Sequence, residues 1–406
     1  MQLSDIDLFD LDGFANGAPH DVFDLLRREA PVFWHEEPGG PGFWAVTRHA
    51  DVQYVSRTPA IFGSAPNTNI QDPDPERIAI LGEIMINMDP PRHNAYRNTI
   101  NKGFVPKRVA KLESYITGVA EGIVDAVAPR GECDFVEDVA ALLPMTMICE
   151  LFGIPDADRR YAYELANRLT SSDDPEIQDA DGTAEAAFAE TFEFAVRLGE
   201  EKKKNPADDL ASLVVNAKID GKPVDDLVFG TFVMMMIVAG NETTRTVTSN
   251  GMIRLIEHPD QMQALVQQPS RIPVAVEEIL RYEPGVHHFR RTAREDTELG
   301  GTSIRKGDKV VVWYPAANRD AEVFDDPHTF NIARSNASAH LTFGIGQHYC
   351  LGAALARAQL CTIFHEVLTR LPDIELVEPP RRLRSNFING VKEMRVRFTP
   401  TSSPQR

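Results

Sequence analysis

Cysteine is scarce in this chain: 406 residues hold only Cys133, Cys149, Cys350 and Cys361. None forms a Cys-x-x-Cys pair, which excludes a disulfide framework and indicates a reducing compartment. Long apolar runs are also missing. The most apolar stretch, Phe232 to Ala239, falls far short of the roughly 20 residues that span a bilayer. The first residues, Met1-Gln2-Leu3-Ser4-Asp5-Ile6-Asp7, lack the basic, apolar and small-residue order of a secretory signal. Positive charge is in deficit, with 42 Lys and Arg against 60 Asp and Glu and a net charge of −18. That balance repels nucleic acid and anionic membranes. The expectation is a cytoplasmic protein with no nucleic acid partner and no membrane anchor. What is present, 43% hydrophobic and 25% charged residues, is ordinary globular composition, enough to enclose a sizeable ligand.

The first hundred residues mix short strands with turns. Gly42 to Thr47 reads as a strand, with a helix after it at Asp51 to Val55. Ser64 to Pro75, rich in Asn, Pro and Asp without a period, reads as a mobile loop. Helical spacing runs from Lys107 to Ala128 and from Val139 to Phe152, the latter stopped by Gly153 and Pro155. Residues 156 to 220 are helical but polar, and Lys202-Lys203-Lys204 reads as a solvated helix end. A helix reaches Tyr282, short strands follow, Arg334 to His348 is irregular, and a last helix runs from near Cys350 to Arg370. The reading is mainly α with a smaller β portion, in 30–60, 284–315 and 375–400, forming one catalytic domain over 1–406.

One helix stands apart. From about Asp225 to Glu257 there is no proline, which makes a rod of roughly 50 Å. Its first half is apolar nearly all round, so it runs through the core. In its middle stands Ala239-Gly240-Asn241-Glu242-Thr243-Thr244. A polar insertion on a buried helix costs free energy unless satisfied, which marks it as a functional place.

The strongest local signal is Phe343-Gly344-Ile345-Gly346-Gln347-His348-Tyr349-Cys350-Leu351-Gly352. Its glycines permit a tight turn and close approach to a flat ligand. Cys350 sits at a helix start, where backbone amides favour a thiolate. This frame resembles the haem-ligand loop of the cytochrome P-450 family, Phe-Gly-x-Gly-x-His/Arg-x-Cys-x-Gly, at every fixed position. The resemblance extends to Glu278-Ile279-Leu280-Arg281, similar to the family's bracing ion pair, and to Asp89-Pro90-Pro91-Arg92-His93-Asn94-Ala95-Tyr96-Arg97, similar to its haem-flanking helix. Where the family often has an Arg in a Pro-x-Arg-Phe segment, Asp326-Pro327-His328-Thr329-Phe330 has Thr329, and the third role in the brace stays unassigned.

The resemblance implies the cytochrome P-450 fold, a triangular prism with the long helix over the haem, and haem b as cofactor. It makes Cys350 the iron ligand, with Phe343, Gly344 and Gly352 around it and Ala239 over the other face. His93, Arg97, Arg291 and His348 become candidates for the haem propionates, with Arg290 open as an alternative to Arg291. Glu242 and Thr243 resemble the family's acid–alcohol pair, a proton relay to reduced dioxygen, and Ala239-Gly240 is placed to open the helix locally. Glu278 and Arg281 become the structural pair. Ile70, Met85, Ile86, Met235, Met236, Ala239, Gly240, Val286, Phe289, Phe387, Ile388 and Val391 fall in segments that line the substrate pocket.

The implied activity is monooxygenation of a C–H bond in a steroid side chain, terpenoid or alkyl chain. The chain carries no flavin or nicotinamide fingerprint, so electrons are expected from a ferredoxin with its NAD(P)H-dependent reductase. Lys102, Lys107, Arg108 and Arg357 are the candidates for docking it, on a monomeric enzyme. The alternatives are a peroxide-driven peroxygenase, disfavoured by Glu242-Thr243, and a non-catalytic haem-thiolate sensor, for which those residues would be unnecessary.

Overall fold

The computed structural model describes residues 1–104, 106–170 and 184–401. Its axis is the helix Asp226–Glu257. The Asp225 carboxylate caps its start by accepting from the Val228 amide at 2.8 Å, and Pro259 lies just past its end. Hydrogen bonding is unbroken through Ala239 and Gly240, so the expected local opening is absent: the Ala239 carbonyl keeps its helical role and also accepts from Thr243.

The helix is long and apolar enough to cross a membrane, yet it runs through the interior. Its first half, with Phe229, Phe232, Val233 and Ile237, packs among Leu142–Phe152, Asp156–Thr170 and Ala184–Lys204. Its second half, with Val247, Met252, Ile253 and Leu255, packs with Pro106–Val127, Ile272–Tyr282 and Ala353–Arg370. Each fully buried side chain of this kind contributes about 1.5–3 kcal/mol. Two cores therefore share one rod, and the polar insertion falls at their junction.

A five-stranded sheet stands to one side, in the order Val32–His35, Phe43–Val46, Lys309–Trp313, His288–Ala293, Phe62–Gly63. Smaller ladders use Glu375–Leu376, Arg395–Arg397, Arg381–Arg382 and Val391–Glu393. Glu132–Asp134 pairs with Arg395–Arg397, a strand outside the three regions anticipated from sequence.

Two segments differ from their sequence reading. Residues 64–75 are irregular but pinned: Thr68 donates to Asn87 at 2.9 Å, its carbonyl accepts from the Arg290 amide at 2.8 Å, and Ile70 is buried. Lys202 is not solvated either. It is buried and ion-paired with Asp209 at 2.6 Å, because the helix end docks where Gly153 leaves no side chain in the way.

Candidate functional site

Cys350 is carried by a loop that the chain can form only with glycine. Gly344 and Gly346 have φ of +67° and +77°, a region other residues rarely adopt. A Cβ on Gly346 would lie 2.7 Å from the Ser56 carbonyl. The loop is closed by the Cys350 amide donating to the Phe343 carbonyl at 2.8 Å. Two residues past the cysteine, Gly352 caps the helix Ala353–Arg370. Burial pushes the Cys350 thiol up, while a hydrogen bond from the Gly352 backbone and the charges of Arg97 and Arg357 pull it down. A metal ion would decide that balance, since a coordinating thiol is deprotonated outright.

Arg357 lies over the Phe343 ring at 4.6 Å and grips Glu277 with both arms, at 2.6 and 2.9 Å. Burial pushes Glu277 up, but Arg357 and His340 overcome it and hold the carboxyl at about 2. Arg357 thus ties the cysteine loop to the helix Ile272–Tyr282, with about a third of its side chain exposed. Lys102 is exposed; the side chains of Lys107 and Arg108 lie outside the described residues.

Above Cys350 opens a cavity. The loop supplies one wall with Phe343, Gly344, His348, Cys350 and Gly352. The central helix supplies the opposite wall with Met235, Met236, Ala239, Gly240 and Thr243. Sheet alternation sends Phe289 and Arg291 of one strand toward the cavity, with Val286 just before it. Arg290 points the other way and pairs with Asp72 at 2.5 Å, which leaves Arg291 as the arginine at the cavity.

Met85 and Ile86 complete the near side. Phe104 and Ile148 also line it; both sit in ordinary core patterns that carry no sequence signal for a pocket. Four expected lining residues are not on the wall. Ile70 packs with Leu8, Phe14 and Trp313. Ile388 forms a backbone bridge with Val286, Phe387 packs edge-on against Phe289 at 5.6 Å, and Val391 belongs to the core.

Four bases gather at one edge. His93 and His348 have ring centroids 4.2 Å apart, and Arg97 and Arg291 line the same cavity. Burial comes first in depressing each, and their mutual charges add to it for both histidines, taking His348 to about 2. Arg97 donates to the Tyr349 carbonyl at 2.6 Å and Arg291 to the Arg290 carbonyl at 2.8 Å. Both ring nitrogens of His93 lack a partner. None of the four has a carboxylate partner among the described residues. Buried bases so arranged call for an anion. One thiol on the floor, two glycines that leave a flat approach and an anion-seeking edge fit a haem with its propionates.

Over the cavity, Thr243 donates to the Ala239 carbonyl at 2.8 Å. Glu242 does not reach solvent directly. It is 1% exposed and ion-paired with Arg245 at 2.7 Å, because the next charged residue on its helical face is one turn away. Below, Glu278 and Arg281 are fully buried and paired at 2.7 Å. The third member left open by the sequence is Arg334, 3.2 Å from Glu278.

The chain matches the Cytochrome P450 family over residues 8–389. It is 40% identical to the steroid C26-monooxygenase of Mycolicibacterium smegmatis, covering 98% of this chain and 94% of that one. It is 39% identical to the linalool 8-monooxygenase of Pseudomonas putida, over 97% and 99% of the two chains. A Mycobacterium marinum cytochrome P450 solved in complex with pseudoionone superposes with a TM-score of 0.89 and 38% identity, covering 95% and 97%. With its loop, cavity and helix arranged in that fold, the chain belongs to the cytochrome P450 family and is a monooxygenase whose cofactor is iron protoporphyrin IX.

Proposed function

We propose that Cys350 ligates the haem iron, that His93, Arg97, Arg291 and His348 hold the propionates, and that the enzyme hydroxylates an unactivated C–H bond of a lipophilic small molecule. The observation that carries this reading is one thiol facing a cavity whose histidines and arginines, among the described residues, are bases without a carboxylate partner. Bound haem supplies dioxygen activation, which thiolate donation favours.

The protein's own residues do the rest. Met85, Ile86, Met236, Val286 and Phe289 bind the substrate by apolar contact, with Phe104 and Ile148. Methionines adapt to irregular shapes, and Ala239 and Gly240 leave room for oxygen. Thr243 Oγ1, already donating to Ala239, keeps its lone pairs for a hydrogen bond from the cavity. Glu242, the adjoining residue, is the acid of the relay. Relatives named for a steroid and for linalool support a steroid side chain or terpenoid as substrate, with an alkyl chain the third option. Electrons come from a ferredoxin with its NAD(P)H-dependent reductase, in the cytoplasm, to a monomer.

A screen read by the low-to-high-spin shift tests the substrate class. Sterols, terpenoids and alkyl compounds should shift the spectrum. A shift with polar aromatic acids alone would remove the lipid reading.

A further inference from the structure

Ser64 stands where three of the four bases at the cavity edge meet. The strand Phe62–Gly63 pairs antiparallel with His288–Ala293, Phe62 against Ala293 and Gly63 against Thr292. One residue further in that register sets Ser64 opposite Arg291, and residues opposite one another in such a ladder share a face of the sheet. Arg291 lines the cavity, so Ser64 is turned the same way. It is 1% exposed, and its hydroxyl lies 3.1 Å from Nε2 of His348. Among the described residues, no other side chain is hydrogen-bonded to His348.

The serine is itself held in place. The buried Asp89 carboxylate accepts from the Ser64 amide at 2.8 Å and from the Ala65 amide at 3.1 Å, and Arg294 pairs with it at 2.5 Å. The Asp89 carbonyl accepts from the His93 amide at 2.9 Å, at the start of the helix Arg92–Ile100. His93 in turn lies against His348, ring to ring. One residue therefore fixes both the backbone of Ser64 and the first turn of the helix that carries His93 and Arg97, and one hydroxyl carries that fix across to the cysteine loop. An imidazole hangs from its backbone by two rotatable bonds, and its ring is locked only when an outside group grips a nitrogen. A hydroxyl both donates and accepts, so it grips His348 in either tautomer.

We infer that Ser64 is a positioning residue of this edge: its hydroxyl holds the His348 ring toward the haem propionates, and Asp89 holds Ser64. The inference rests on the reading of His348 as a propionate partner. The two arginines of the edge are oriented by main-chain carbonyls, those of Tyr349 and Arg290. His348 is oriented by a side chain, which one substitution removes without disturbing the backbone. Free to turn, the ring spends part of its time away from the propionates. One contact to the cofactor weakens, while Cys350 and Thr243 are left as they are.

The test uses the haem-loaded enzyme and the variants Ser64→Ala, His348→Ala and the two combined. The propionate bending band in the resonance Raman spectrum, the rate of haem transfer to apomyoglobin and the reduced carbon monoxide spectrum are measured. Ser64→Ala should move the band in the direction that His348→Ala moves it, by less, and speed transfer several-fold, with the carbon monoxide spectrum intact. On the His348→Ala background, removing Ser64 should add nothing to either effect, because the serine acts through that ring. If His348→Ala changes band and transfer while Ser64→Ala matches wild type, the propionate partner stands and the role of the serine is overturned. If Ser64→Ala speeds transfer equally with and without His348, its role is packing and the inference fails. If His348→Ala leaves band and transfer unchanged, the propionate reading of His348 is refuted and the role of Ser64 with it.

Discussion

Two buried ion pairs in this molecule share one design and differ in everything around it. Glu278–Arg281 and Glu242–Arg245 are both Glu-x-x-Arg pairs on helices, both at 2.7 Å. In the first, Arg281 also donates to the carbonyls of Asn318 and Pro327 at 2.9 Å, and Glu278 accepts from the Asn331 amide at 2.8 Å. Arg334 adds a second cation and ties itself to the carbonyls of Asp325, Asp326 and Thr329. Those bonds join the helix Ile272–Tyr282 to the chain that leads into the cysteine loop. The second pair joins two residues one turn apart on the central helix, beside Thr243 at the cavity. Tied to carbonyls and an amide of a separate segment, the first pair is a brace between elements; the second lies within one helix, next to the candidate site.

The largest effect should come from the brace. Arg281→Ala takes from Glu278 its bidentate partner and from the Asn318 and Pro327 carbonyls their arginine donor, and breaking such a buried pair costs about 3–5 kcal/mol. Urea unfolding should show that loss, and haem retention after gel filtration should fall with it. Near-wild-type stability would erase the distinction between the pairs. Arg334→Leu keeps the Glu278–Arg281 contact but frees the loop carbonyls, so a smaller loss of about 1–3 kcal/mol is expected by the same measurement.

A buried base with no partner sharpens the contrast from the opposite side. His288 is enclosed by Trp313 and Phe387, with ring centroids at 4.8 and 5.3 Å, and neither ring nitrogen has a partner. Burial lowers it to about 3, as it does His287. Such a group stays neutral in the fold but gains a proton when unfolded below pH 6.5. Its contribution to stability is complete above that pH and is lost as pH falls toward 3. The slope is about 1.4 kcal/mol per pH unit for each histidine. His288→Phe should reduce the stability lost between pH 7 and pH 5 in urea titrations; an unchanged loss would show the ring already titrates freely.

Much of this was readable in the chain. The cysteine frame is contiguous, and each glycine in it answers a local backbone demand, so its loop could be read residue by residue. The long helix followed from missing proline and unbroken apolarity. Arg334 could not be read, because it lies in an irregular stretch where no period places a side chain, five residues past the position occupied by Thr329. The closure of Glu242 was illegible for another reason. Arg245 stands at pairing distance in sequence, but solvent access depends on which helices cover that face. Ile70 failed as a pocket residue for the same cause: an irregular segment gives no direction to its side chains. Patterns specify contacts along an element, and burial across elements has to be seen.

The central claim is that Cys350 is the ligand beneath the haem, and the reduced carbon monoxide spectrum of Cys350→Ala, with haem supplied, tests it most directly. The account predicts a thiolate-type spectrum in the wild type and its complete loss in the variant. A variant that binds haem and keeps the thiolate-type spectrum would contradict it.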